Sequence, residues 1–368
     1  MSTNIPSIGA VRKIAVLRAL FVGDLLCSTP ALRDLRGRFP AAEITLIGLP
    51  WATDFVSRTP ALDRIRVFPG YPGITEGPRD PGSTAAFLAE ARAYGYDLAI
   101  QMHGDGRSSN GFIAALGAPF TLGFRCGEAP DSRLALSLPY AIDEHETLRW
   151  LRLIATLGDP LDGETHLSLT RTAHDAAAAA ALLTGALGAG PLIGLHLGAK
   201  EEARRWPTAR FIALAEHLVA RLDARIVLTG GESERTLVAE ARQMARVPVL
   251  DLAGQTDFGT FAAAIAGLDL LVTNDTGASH VAAAVGTRSV ILFGPSRPGH
   301  WAPLDGLRHR ALDAVTLADT ALGGAEALRQ LPLEPVLQAC LKQLADGRQK
   351  AGMTALMAGT HTQKVENR

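Results

Sequence analysis

Short apolar runs alternate along this chain with helix-length amphipathic segments, and this alternation leaves the least freedom for the fold. Runs at Ile14 to Arg18, Ile44 to Gly48, Arg64 to Val67 and Leu98 to Met102 predict strands, with helices starting near Pro30 and Ser83. A second series opens at Leu192-Ile193-Gly194-Leu195-His196 and continues through a helix from Thr208 to Leu222, a strand Arg225 to Thr229 and a helix from Glu232. A strand around Val249 follows, then a helix Phe258 to Ala266, a strand Leu268 to Thr273, a helix after Gly277 and a strand Ser289 to Phe293. Strands separated by helices pair in parallel, because the crossover helix covers a face of the sheet. The expected fold is α/β: two doubly wound domains with a cleft between them as the site.

The expected boundaries are an N-terminal domain over 1–172, a linker over 173–190 and a C-terminal domain over 191–325. A C-terminal helix over 326–345 and a disordered tail over 346–368 complete the chain, since the tail has no sustained apolar period. The linker is the run Ala176 to Ala181 with Leu182-Leu183, closed by Gly185, Gly188 and Gly190, a helix running into a flexible joint.

Composition excludes several classes. A formal net charge of −1 gives no whole-molecule attraction to nucleic acid or anionic lipid. Cys27, Cys126 and Cys340 are too far apart for a disulfide framework or a metal cluster and fit a reducing compartment. The apolar run Ile14-Ala15-Val16-Leu17 is too short for a signal peptide or a membrane span, so the expected location is cytoplasmic. The dinucleotide fingerprint is absent: Gly104-Asp105-Gly106 continues as Arg107-Ser108-Ser109. Gly277-Ala278-Ser279-His280-Val281 lacks the last glycine of a nucleophile elbow, and His145-Glu146-Thr147-Leu148-Arg149 lacks the second histidine of a zinc-protease helix. No two aspartates stand two apart, so the paired carboxylates that hold a divalent cation in many sugar transferases are missing. No metal or other cofactor is expected.

What remains is a set of loops at strand ends suited to a diphosphate and a sugar. At Val272-Thr273-Asn274-Asp275-Thr276-Gly277-Ala278-Ser279-His280 an apolar run breaks into small polar residues and resumes as an alanine-rich helix. The first N–H groups of such a helix have no intrahelical partner and, with the macrodipole, form an anion site. Gly277 allows close approach, while Asn274, Asp275 and Thr276 are candidates to cap the helix or bond a sugar or phosphate. His280 lies one turn on, as a contact or as a packed histidine. Lys200, Arg204 and Arg205 stand in the basic loop Gly198 to Pro207 and can neutralise a leaving diphosphate. Gly230 and Gly231 permit backbone approach, and Glu234 lies where a carboxylate can take ribose hydroxyls. Gly294-Pro295-Ser296-Arg297-Pro298 forms a stiff loop beside the Asp275 turn.

Together these spacings resemble glycosyltransferase family 9, the ADP-heptose:lipopolysaccharide heptosyltransferases and their relatives. The marks are Arg18-Ala19-Leu20-Phe21-Val22-Gly23-Asp24-Leu25-Leu26 with Thr29-Pro30-Ala31-Leu32, then His196-Leu197-Gly198-Ala199, Arg204-Arg205-Trp206-Pro207 and Leu228-Thr229-Gly230-Gly231. Asp251-Leu252-Ala253-Gly254, Thr273 to Gly277, His280 and Phe293-Gly294-Pro295 complete them, over about Arg12 to Pro303. The resemblance implies a GT-B arrangement of two Rossmann-like domains, acceptor on the first and sugar nucleotide on the second. It implies an inverting, metal-independent transfer of heptose or a similar sugar from an ADP-linked donor to a glycan or lipopolysaccharide-type acceptor, with Asp24 as the base. It also places Gly23, Thr29, His103 and Arg107 on the acceptor side. A lipid-linked acceptor would require transient contact with the inner membrane.

The chain departs from the family pattern twice. Gly294-Pro295-Ser296-Arg297-Pro298 stands where G-P-T-D-P is common, which leaves the donor sugar open. A charged turn, Gln101 to Ser108, replaces an apolar one near the acceptor and points to an acceptor other than the usual lipid A–Kdo core. A nucleotide-sugar epimerase or a non-catalytic sugar-nucleotide sensor can use the same scaffold. The first needs an acid/base pair reaching the sugar, and the second would have lost the role of Asp24.

Overall fold

The computed structural model describes residues 11–77, 80–158, 163–318 and 322–362. They form two units, Met1–Thr170 and Arg171–Arg368. The first contains β1 (Lys13–Leu17), α1 (Val22–Cys27), α2 (Thr29–Arg38), β2 (Glu43–Gly48), α3 (Ala52–Ser57), β3 (Arg64–Val67), α4 (Pro81–Tyr94), β4 (Leu98–Gln101), α5 (Ser109–Ala115), β5 (Phe120–Arg125), β6 (Leu136–Pro139) and α6 (Glu146–Ala155). The second runs α7 (Ala173–Leu183), β7 (Leu192–His196), α8 (Thr208–Leu222), β8 (Arg225–Thr229), α9 (Arg235–Met244), β9 (Val249–Asp251), α10 (Phe258–Ala266) and β10 (Leu270–Asn274). It ends with α11 (Gly277–Val285), β11 (Ser289–Phe293), α12 (Pro298–Trp301), β12 (His309–Asp313), α13 (Ala314–Leu317), α14 (Gly324–Gln330) and α15 (Leu333–Thr362).

Each unit is a parallel six-stranded sheet, ordered β3-β2-β1-β4-β5-β6 in the first and β12-β11-β10-β7-β8-β9 in the second. Both follow the doubly wound order, whose crevice opens at the carboxyl ends of the two central strands where the winding reverses. The central strands are apolar because helices cover both faces: β1 is buried from Ile14 to Leu17, and β10 throughout.

The strand series read from the sequence omits β5, β6 and β12. Gly123 interrupts β5, where a Cβ would lie 2.8 Å from Gln101 Cβ, so the position needs glycine to let the strands meet. β6 ends in Pro139, and β12 is an edge strand carrying His309 and Arg310, so neither presents an apolar run.

Two boundaries also differ. The alanine-rich segment is not a free joint: α7 belongs to the second unit, where Ala179 packs against Ala263 and Ala264 of α10. Small side chains let the helices approach closely, and the Thr172–Asp175 capping box fixes where α7 starts. At the other end α14 and α15 flank Pro332, and α15 continues to Thr362, beyond the helix expected over 326–345. Of the expected tail, 363–368 lie outside the described residues.

Candidate active site

In the first unit the switch point lies between β1 and β4, so the segments after Leu17 and Gln101 flank its crevice. Asp24 sits there, inside α1 rather than before it. The helix starts at Val22 with Phe21 as an N-cap that offers no side-chain bond, and Asp24 lies in the first turn. Half-buried, its carboxyl has a pKa raised above the usual carboxylate range, chiefly by burial; Arg18 opposes the shift and Glu146 adds to it. A carboxylate with enhanced proton affinity beside a crevice is suited to general-base work. Gly23 lies beside it in the same turn, partly open to solvent.

Arg18 anchors this corner. Fully buried, it donates from Nε to the Asp24 carbonyl at 2.8 Å, from Nη1 to the Met102 carbonyl at 2.6 Å and from Nη2 to Glu146 Oε1 at 2.9 Å. Its guanidinium lies over the Trp150 ring at 4.4 Å. One side chain thus joins the ends of β1 and β4 to α6. Glu146 and Arg149 lie outside the motifs legible in the sequence, because the segment His145 to Arg149 shows there only a near match to zinc-ligand spacing. An acidic residue opening a helix was the signal available.

His103 follows β4 on a turn braced by the buried Gln101, whose Nε2 donates to the Gly104 carbonyl at 3.0 Å and to Ser109 Oγ at 2.7 Å. Gly106 has φ +86°, and a Cβ there would meet the Phe124 carbonyl at 2.0 Å, so the charged turn requires glycine. The His103 ring stands 3.6 Å (Nε2 to Oε2) from Glu76, and burial lowers its pKa to about 4 against the opposing pull of Glu76. It is therefore neutral near pH 7, able to hydrogen-bond a hydroxyl but not to act as a cation. Arg107 is exposed, bonded to Cys126 Sγ at 2.9 Å and 3.4 Å from Asp105. Thr29 does not face the crevice. Buried, its hydroxyl donates to the Leu26 carbonyl at 2.8 Å and accepts from Ser168 N–H at 3.1 Å, tying α2 to the chain beyond α6.

In the second unit the switch point lies between β7 and β10, which brings the basic loop and the Asp275 turn to one edge. No side chain caps α11: Thr276 is the N-cap, extended at φ −155°, with no side-chain bond to the helix. The capping expected of Asn274, Asp275 and Thr276 does not occur; Ser279 N–H turns back onto the Thr276 carbonyl at 3.0 Å, which leaves the N–H groups of Gly277 and Ala278 at the helix mouth. Arg204 reaches the same turn, its Nη1 3.6 Å from Asp275 Oδ2, and the Ser296 hydroxyl donates to the same oxygen. Arg205 turns away, donating from Nε and Nη2 to the Ala199 carbonyl at 3.0 and 2.8 Å. Lys200 is exposed on this loop.

Several expected donor contacts are structural here. Asn274 is fully buried: its Oδ1 accepts from Trp206 N–H at 2.9 Å, and its Nδ2 donates to the Leu197 carbonyl at 2.8 Å. It stitches β10 to the basic loop rather than meeting a ligand. Glu234 caps its own turn, accepting from Gly231 N–H at 2.8 Å, and points its other contact inward at His196, 3.7 Å away. A Cβ on Gly198 would fall 1.6 Å from Glu234 Oε1, so the carboxylate lies against that glycine. Gly230 is buried with its carbonyl bonded to Gly254 N–H at 3.0 Å. Gly294 is required by packing, since a Cβ would stand 2.7 Å from Leu328 Cβ; Pro295 beside it is exposed. His280 is buried one turn into α11, its ring edge-on to Trp301 at 6.3 Å, the packed alternative. Among the described residues no group of three or more His, Cys, Asp or Glu is placed to hold a metal ion.

The model of glycosyltransferase family 9 (heptosyltransferase) matches residues 85–313, from α4 to the end of β12 and so across the His103 turn, the basic loop and the Asp275 turn. The chain belongs to glycosyltransferase family 9. Within the family it is 26% identical to lipopolysaccharide heptosyltransferase 2 of Salmonella typhimurium, covering 89% of this chain and 97% of that protein. It is 27% identical to lipopolysaccharide heptosyltransferase 2 of Escherichia coli, covering 79% and 85%. The solved structure of E. coli ADP-heptose lps heptosyltransferase II superposes with a TM-score of 0.73 at 24% identity over 91% of this chain and 99% of that one. A family 9 structure from Veillonella parvula gives 0.73 at 21% identity, over 91% and 97%. The fold is thus the GT-B type of family 9, and the activity is glycosyl transfer from a nucleotide sugar.

Proposed function

We propose that this family 9 chain is an inverting, metal-independent transferase moving heptose or a similar sugar from an ADP-linked donor to a lipopolysaccharide-type acceptor. Its relatives are named for heptosyl transfer and ADP-heptose, which supports the sugar and the nucleotide. The observation that carries the reading is the uncapped start of α11 with Arg204 drawn to the same turn. That pairing presents N–H donors and a guanidinium to one diphosphate without a metal.

The proposed step is a single displacement. The acceptor oxygen bonds to the anomeric carbon as its proton passes to the Asp24 carboxylate, and the bond from that carbon to the diphosphate oxygen breaks with both electrons leaving on oxygen. Donors aimed at the departing oxygen lower the barrier because its charge grows in the transition state. Neutral His103 suits a hydroxyl of the acceptor, and the exposed Arg107 a phosphate or carboxylate on it. The place of action we propose is the cytoplasmic face of the inner membrane, with transient contact; among the described residues no helix is long and apolar enough to cross a membrane.

The test is a thermal-shift comparison of ADP-heptose with ADP-glucose and UDP-N-acetylglucosamine, followed by mass spectrometry of acceptor incubated with the stabilising donor. Stabilisation by ADP-heptose and acceptor heavier by one heptose are expected. An epimerised nucleotide sugar formed without acceptor would overturn the reading, as would preference for the uridine nucleotide.

A further inference from the structure

The carboxylate assigned as base belongs to a buried group of charges drawn from three places in the sequence. Arg18, at the end of β1, holds the main chain of Asp24 and the carboxylate of Glu146. Glu146, at the start of α6, also accepts from Trp150 Nε1 at 2.9 Å and forms an ion pair with Arg149 one turn on. Arg149 Nη2 donates to the Ala141 and Glu144 carbonyls at 3.0 and 2.8 Å, so the second guanidinium is fixed as firmly as the first. Arg18, Glu146 and Arg149 are each 5% exposed or less. Two guanidiniums face two carboxylates, and the group is neutral only while Asp24 is ionised. Protonating Asp24 leaves a net positive charge in a poorly solvated place, which is unfavourable. Glu146 opposes that penalty, because without it Arg18 would act on Asp24 uncompensated, and Arg149 in turn holds Glu146 ionised beside Arg18.

We infer that Glu146 and Arg149, far from Asp24 in sequence, are positioning residues that set the proton affinity of the Asp24 carboxylate through Arg18. The inference rests on the reading of Asp24 as the base. Other titratable groups around this corner are the Cys27 thiol of α1, which burial keeps protonated, Tyr140 before α6, whose pKa burial raises, and His103 after β4. All three are retained in every variant compared, so differences between variants do not arise from them.

The test is a carboxyl ¹³C NMR titration of the full chain labelled in aspartate, with the Asp24 signal assigned by its absence in Asp24→Asn. Removing the negative charge in Glu146→Gln should move the Asp24 midpoint to lower pH by about one unit. Removing the positive charge in Arg149→Met leaves the negative charge of Glu146 less compensated and should move the midpoint to higher pH by a smaller amount, and Arg149→Lys should restore the wild-type midpoint. Opposite shifts from two substitutions in one ion pair cannot come from general loosening of α6. Midpoints that stay put, or that move the same way in both variants, would overturn the inference. If Glu146→Gln does not fold, the two Arg149 variants decide the question alone. The base reading is tested separately by turnover of ADP-heptose: an active Asp24→Asn sinks that reading, whereas unmoved midpoints with an inactive Asp24→Asn sink only the coupling.

Discussion

Arg204 and Asp275 meet at 3.6 Å across the mouth of α11, whereas the neighbouring Arg205 folds back on the Ala199 carbonyl. Adjacent side chains on this loop therefore point to different places, one to the start of α11 and one back into the loop. Arg204→Ala should lower kcat/KM by ~10²-fold or more, and Arg204→Lys should recover only part, because an ammonium lacks the planar fork. Arg205→Ala loosens the loop and should cost ~5-fold or less, the worth of about one net hydrogen bond. Steady-state kinetics of the three variants at saturating acceptor checks this, and a reversed order would move the role to Arg205.

Asp24→Asn keeps the shape of the side chain and removes its capacity to take a proton. Turnover should fall by at least ~10²-fold while the donor Kd stays within about twofold. Because burial raises the pKa of Asp24, the wild-type kcat should fall on acidification through that pKa, the base being active only above it. Retention of more than about a tenth of kcat in Asp24→Asn would remove Asp24 from the mechanism.

Transfer should survive excess EDTA undiminished, because N–H donors and Arg204 offer the diphosphate its countercharge and the sequence has no paired aspartates for a cation. Activity lost on chelation and restored by Mg²⁺ or Mn²⁺ would contradict this.

Asn274 serves stability. Truncation in Asn274→Ala strands the Trp206 N–H and the Leu197 carbonyl without their partner in a buried place, at a cost of about 2–4 kcal/mol. A melting temperature lowered by several degrees, visible without any substrate, is the expected result; an unchanged melt would restore Asn274 to the ligand-facing set.

His309 makes the second unit sensitive to acid. Burial lowers its pKa from 6.5 to about 4, and its Nδ1 lies 2.9 Å from Ser289 Oγ. The unfolded chain binds the proton first, so stability is intact above about pH 6.5 and is lost as pH falls toward 4, by up to about 3 kcal/mol. In His309→Gln that share of the pH dependence should vanish, which denaturant midpoints measured across this window would show.

The sequence by itself determined the parallel α/β architecture, since buried central strands such as β1 and β10 announce themselves as apolar runs. It also placed the Asp275 turn and Arg204 together, because a helix start and a basic loop are encoded locally, whereas Asp24 stood out only through the family resemblance. The edge strands β6 and β12 stayed hidden because they carry no apolar run, whereas the edge strands β3 and β9 were legible. Side-chain direction was decided only by tertiary structure. Asn274 and Glu234 have the chemistry of ligand contacts, yet packing turns one onto Trp206 and the other onto Gly231 and His196. The Arg18–Glu146 pair joins residues 128 positions apart, and no local pattern encodes such a contact. A buried charge must find its partner wherever the fold brings one, so the surroundings of Asp24 are a property of the folded chain.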